Sequence, residues 1–135
     1  MRVVSSQLYG IPPEQVIGSS MKKELQQVNG KWVLVKTSKL NSNNDKNVKP
    51  VNIDLHIGAR PLFAMGNVRS GGDISILNYS QGREALSLQV IVNHDDEKRE
   101  YAYAEKDNAS LNAAKANHWH VVSMKNDWKS ISLLK

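Results

Sequence analysis

Residues 66 to 73, Gly-Asn-Val-Arg-Ser-Gly-Gly-Asp, bring a carboxylate, an amide oxygen, a guanidinium and three glycines into one short turn. The turn follows the apolar run "PLFAM" and leads into the apolar-periodic segment "ISIL". Carboxylate and amide oxygens are the hard donors that Mg2+ prefers, which makes Asp73 and Asn67 candidate metal ligands. An Asp just before a helix is also the ordinary N-cap, and both readings of Asp73 stay open at this point.

Other polar groups carry weaker chemistry. His118 and His120 flank Trp119 and, on a strand, would share one side, but no third ligand stands at a zinc-like spacing. His56, near a helix end, suits capping of carbonyls or packing. "NHDDEKRE", residues 93 to 100, reads as a charged helix start, with the lining of a ligand crevice as its alternative. Trp119 and Trp128 are expected in the core or at its rim. No serine has the strand-turn-helix setting of a hydrolase nucleophile.

Composition bounds the classes. The chain has 135 residues, 40% apolar and 23% charged, and no apolar stretch long enough to span a bilayer. The formal charge of +5 is spread from Lys22 and Lys23 to Lys125 and Lys129 without a dense run, and a single Phe is present for base stacking, so nucleic acid is not the expected partner. The absence of cysteine excludes disulfides and thiolate chemistry. The start, "MRVVSSQLYGIPPEQ", lacks the pattern of a signal peptide, and the expected compartment is the cytoplasm.

These residues need elements to position them. Residues 2 to 9 have helical spacing, ended by Gly10 and the prolines that follow. "EQVIGSS" reads as a short strand. Alternating apolar residues on both sides of Asn29-Gly30 predict a hairpin over about 24–37, because that dipeptide supplies two positive φ angles. Residues 38 to 47 read as a polar surface loop. A helix opening near Pro50 and closing at Gly58 follows, then a strand over "PLFAMG", a helix from Asp73, a strand over "LSLQVIVN", a helix capped by Asp107 or Asn108, and a last strand over "WHVVSM". Alternation of strand and helix from about residue 49 to 135 predicts a parallel sheet with crossovers, and ligands then sit beyond the carboxyl ends of the strands. The expected fold class is α/β in a single domain.

Taken as a unit, "KPVNIDLHIGARPLFAMGNVRSGGDISIL" resembles the later half of the haloacid dehalogenase (HAD) superfamily core, in its phosphoserine phosphatase-like branch. "LYGIPPEQVIGSS", "VNHDDEKREYAY" and "VVSMKNDWK" are similar to the same branch, so the resemblance covers nearly the whole chain. It implies a partial doubly wound, Rossmann-like parallel sheet with an inserted β-hairpin, and Mg2+-dependent hydrolysis of a phosphomonoester. Lys49 then matches the lysine that steadies the phosphoryl group and the nucleophile's charge, the role electrostatics assigns to an ammonium beside a dianionic transition state. Asp73 matches an acidic residue of the magnesium turn, and Asn67 the position after the strand glycine. Related sequences often read "GNSDGD", with a second Asp in the turn, whereas this turn is longer and holds Val68, Arg69 and Ser70, so that the resemblance gives Arg69 to substrate phosphate or to offsetting the lost carboxylate, with a solvent-facing side chain as the alternative.

The family's nucleophilic Asp, with a second Asp two residues later, has no counterpart in these residues. Asp45, Asp54, Asp95 and Asp96 lie in other settings. The expectation is therefore a truncated phosphatase portion, without nucleophile strand or cap and inactive alone, that pairs with a complementing chain or with itself. The alternative is a non-catalytic oligomeric binding module derived from that fold.

Overall fold

The computed structural model describes residues 1–69 and 71–131, in two compact units, Met1–Ile57 and Gly58–Lys135. Ser70 lies outside the described residues.

The first unit begins with helix α1, Arg2–Tyr9, which stops where Gly10 turns left-handed at φ 65° and returns its N–H to the carbonyls of Ser5 and Ser6. Of "EQVIGSS" only its last residue, Ser20, enters a strand. Pro12 and Pro13 set the φ of a tight turn instead, and Pro13–Gln15 is a 3-10 turn. Strands β1, Ser20–Val28, and β2, Lys31–Ser42, make the antiparallel hairpin. Its turn has φ 50° at Asn29 and 76° at Gly30, the pair of positive angles that a two-residue turn matched to strand twist requires. The ladder is longer than the alternation predicts, because pairing of Met21 with Leu40 and Ser20 with Ser42 carries β2 into the polar segment expected to be loop. Register shifts near Met21 absorb the change of pattern. Helix α2, Val48–Ile57, contains Pro50 in its first turn, and Gly58 beyond it has φ 69°. Buried Asn52 pins α2 to the end of the hairpin, its Nδ2 donating to Ser42 Oγ and Asn44 Oδ1, both at 2.9 Å.

The second unit is α/β. Strands β3, Phe63–Asn67, β4, Leu88–Asn93, and β5, His120–Ser123, pair in parallel in the order β3-β4-β5. Helix α3, Ile74–Gln81, joins the first two strands, and α4, Ala109–Asn117, precedes the third. Ala64 and Ile91 pack with Leu77 of α3, Ala114 of α4, Val68 and Trp119 in one core cluster. Both helices therefore cover the sheet face that carries Ala64 and Ile91. The opposite face takes the alternate residues, and there Phe63 and Met65 are 51% and 58% exposed. Buried polar links close the helical side: Ser80 Oγ donates to Pro61 O at 2.9 Å, Gln89 Nε2 donates to Ser80 Oγ at 3.0 Å, and Trp119 Nε1 donates to Gln81 Oε1 at 2.7 Å.

Residues 94–100 form turns rather than the expected helix start. Asp96 accepts from the N–H groups of Lys98 and Arg99 at 3.0 and 3.1 Å, and from the Arg99 guanidinium. That guanidinium is in turn drawn away to the carbonyls of Met124, Lys125, Trp128 and Lys129. The local capping pattern is thus spent on holding the segment after β5. Among the described residues, no helix is long and apolar enough to cross a membrane.

Candidate functional site at the carboxyl ends of β3 and β4

β3 is short, and its last residues Gly66 and Asn67 run directly into the turn that precedes α3. Asp73 occupies the N-cap position of α3 but makes no capping bond with its side chain. Its carboxylate folds back to the strand end, where Oδ2 accepts the Asn67 N–H at 3.1 Å. The Asp73 side chain therefore does not cap α3.

The glycines follow from this geometry. A Cβ on Gly66 would stand 2.3 Å from Asp73 Cβ and 2.8 Å from its Oδ2, so only glycine lets the carboxylate lie against the strand. Gly71 has φ 61°, the left-handed region that glycine enters without steric cost. Val68, buried in the core between them, anchors the turn, and its N–H donates to Val92 O at 3.2 Å, tying the turn to the end of β4.

Glu105 holds the turn from the far side. It accepts the Gly71 N–H through Oε1, while Oε2 accepts the Ser110 N–H at 2.6 Å and Oε1 the Ser110 hydroxyl at 2.8 Å. One carboxylate thus caps α4 and fastens the glycine turn. Asn108, at the cap position of α4 with φ 52°, makes no side-chain capping bond, and Asp107 Oδ1 accepts the Ala109 N–H at 3.2 Å.

A second cluster stands at the end of β4. His94 Nδ1 donates to Glu100 Oε2 at 2.8 Å, and its ring stacks on Tyr103 with 4.5 Å between centroids. Burial pushes the Tyr103 pKa upward; Arg69 works against the rise, and the charges of Glu100 and Asp73 add to it. Tyr103 is therefore the common neighbour of the turn and of the His94 pair. Neither Glu105 nor Tyr103 was legible as a site residue, since Glu105 reaches Gly71 across 34 residues and Tyr103 meets His94 only once the segment after β4 folds back.

Of the sequence-predicted residues, Asn67, Arg69 and Asp73 share the turn between β3 and α3, with Arg69 exposed. Lys49 belongs to the first unit, as the partly buried second residue of α2. His118 is the left-handed C-cap of α4 while His120 is in β5, so the two do not alternate on one strand as a metal pair requires. His56 donates from Nδ1 to Asn52 O at 2.7 Å, the carbonyl contact expected of it. Trp119 is in the core and Trp128 is half exposed.

Among the described residues, no group of three His, Asp or Glu side chains is arranged to hold a metal. Mg2+ commonly keeps several waters and takes only one or two carboxylates from the protein, so Asp73 with the Asn67 amide fits a largely hydrated ion rather than a closed cage. Searched against protein-family models and against curated proteins, the chain matches none.

Proposed function

We propose that this chain carries the lysine and magnesium side of a HAD-type, doubly wound phosphomonoester hydrolase, and that it is inactive alone. The observation that carries the reading is the Asp73 carboxylate turned away from capping and laid against the end of a parallel strand, over a glycine that must be glycine. In this reading Asp73 and Asn67 hold Mg2+ and Arg69 meets the substrate phosphate, while for Lys49 the role of steadying the phosphoryl charge comes from the resemblance alone. When bound, Mg2+ would neutralise charge on the phosphoryl oxygens. With no two-Asp motif in these residues, no aspartyl-phosphate forms.

The test pairs two measurements. Mn2+, used as a paramagnetic stand-in, should broaden the backbone signals of Asn67 and Asp73, and Asp73→Asn should abolish the effect. A chromogenic phosphate ester with Mg2+ should not turn over. Broadening elsewhere only, or turnover that Asp73→Asn leaves intact, would overturn the assignment.

A non-catalytic oligomeric module is the second reading, favoured by one specific feature. The hairpin exposes Trp32 at 67% and Leu34 at 65%, and a lone two-stranded sheet is marginal in water. The β3 edge away from β4 carries no strand among the described residues, which offers a second place for another chain to pair. Light scattering discriminates: a stable symmetric oligomer supports this reading, and a monomer removes it.

A further inference from the structure

His94 is the first residue beyond β4, and nothing in the proposed function uses it. Its imidazole is held from two sides, by Glu100 at Nδ1 and by the face of Tyr103 lying 21° from parallel. The backbone doubles the tie, because the Tyr103 N–H donates to His94 O at 3.1 Å. The Glu100 side chain is only 13% exposed, and its other oxygen, Oε1, is buried with no hydrogen-bond partner among the described residues. A carboxylate so removed from water needs a donor, and the group it meets is this imidazole. Nδ1 serves Glu100, and among the described residues Nε2 makes no hydrogen bond; a phosphate oxygen placed there would accept from Nε2–H when the ring carries both protons.

The location gives that donor something to do. The bond from Val68 N to Val92 O brings the glycine turn alongside the end of β4, and Tyr103 feels the charges of Arg69, Asp73 and Glu100 together. His94 thus follows the end of β4 as Arg69 follows the end of the neighbouring β3, at the carboxyl end of a parallel sheet, where ligands of such sheets lie. A fixed ring with a charged N–H is a better phosphate donor than a mobile side chain, since its orientation costs no entropy on binding.

We propose that His94 is a phosphate-contacting residue at this end of the sheet, donating from Nε2 to a phosphate oxygen, with Glu100 as the positioning residue that orients the ring. The inference rests on the reading of this end as a phosphate-ester site and adds the group that grips the ester from the β4 side. The experiment is a titration of the full chain, labelled in its histidine rings, with inorganic phosphate. The ring signals of His94, identified by their loss in His94→Gln, should move and saturate, and His94→Gln should weaken phosphate binding about tenfold. Glu100→Gln should change the protonation pattern of the two ring nitrogens, read from their 15N shifts, and weaken binding less. A merely structural Glu100 would leave that pattern unmoved and would remove its positioning role. His94 ring signals that stay still while phosphate is added to saturation overturn the proposal without recourse to any variant. Mn2+ broadening at Asp73 with no phosphate response at His94 sinks this inference and leaves the metal reading standing; a response at His94 without broadening at Asp73 does the reverse.

Discussion

Replacing Gly66 with alanine tests the contact on which the site is built. The added methyl would stand 2.3 Å from Asp73 Cβ, roughly 1 Å or more inside the separation at which two carbons pack best. Asp73 Cβ cannot swing away, because it is fixed to the backbone at the start of α3, so either the strand end or the helix start must shift. Overpacking of this kind costs about 1–3 kcal/mol, and displacement of the carboxylate also loses the Asn67 bond, so about 2 kcal/mol is a fair expectation. For a cooperative unit of the size of the second one, that corresponds to a fall in melting temperature of about 8–16 °C. Circular dichroism melts of wild type, Gly66→Ala, Asp73→Gly and the double variant form a cycle. Asp73→Gly removes the clashing Cβ, so the alanine should cost far less in that background, with a coupling of about 1–2 kcal/mol. Gly71→Ala serves as the control: it pays for a left-handed φ that does not depend on Asp73, about 1–2 kcal/mol in either background. An equal cost of Gly66→Ala with and without the Asp73 side chain would refute the argument from close approach.

Two further predictions concern the supports of the site. Burial alone would raise the pKa of Asp95, but bonds from the Ser123 hydroxyl and the Lys125 N–H outweigh it and leave the value below the ordinary 3.8. Asp96 shows the same balance, with burial opposed by the Arg99 guanidinium and the N–H groups of Lys98 and Arg99. Depressed carboxylates stabilise the fold above their unfolded value and lose that contribution as pH falls through the folded value. The urea midpoint should therefore drop below about pH 4, and Asp95→Asn with Asp96→Asn should flatten the slope; an unchanged slope would show that these groups do not govern it. Glu105→Ala should release the Gly71 N–H and fray the start of α4, seen as faster hydrogen exchange at Gly71 and Ser110 with β4 unaffected. Protection that persists at both amides would show that other contacts hold the turn.

The local elements were legible wherever one short-range cause sufficed. Asn29-Gly30 specified its hairpin because the turn needs two positive φ angles, and Gly10 and Gly58 ended their helices for a related reason. The alternation of strand and helix from residue 61 onward foretold parallel pairing. Where two local causes competed, the expectation failed. Pro12 and Pro13 overrode the apolar pattern of "EQVIGSS", and the long-range demands of the segment after β5 drew Arg99 and Asp96 out of a helix start.

The chain's order of residues was enough to place Asn67, Arg69 and Asp73 in one turn at the end of a strand, because all three lie within a few bonds of it. It was not enough to tell that the Asp73 side chain leaves the cap unmade, or to join Glu105 and Tyr103 to that turn. Those outcomes depend on side chains meeting across the fold: the carboxylate folds over Gly66, and Glu105 reaches Gly71 from far along the chain. Backbone preference acts between neighbours, whereas a hydrogen bond between distant residues exists only after packing has brought its two ends together.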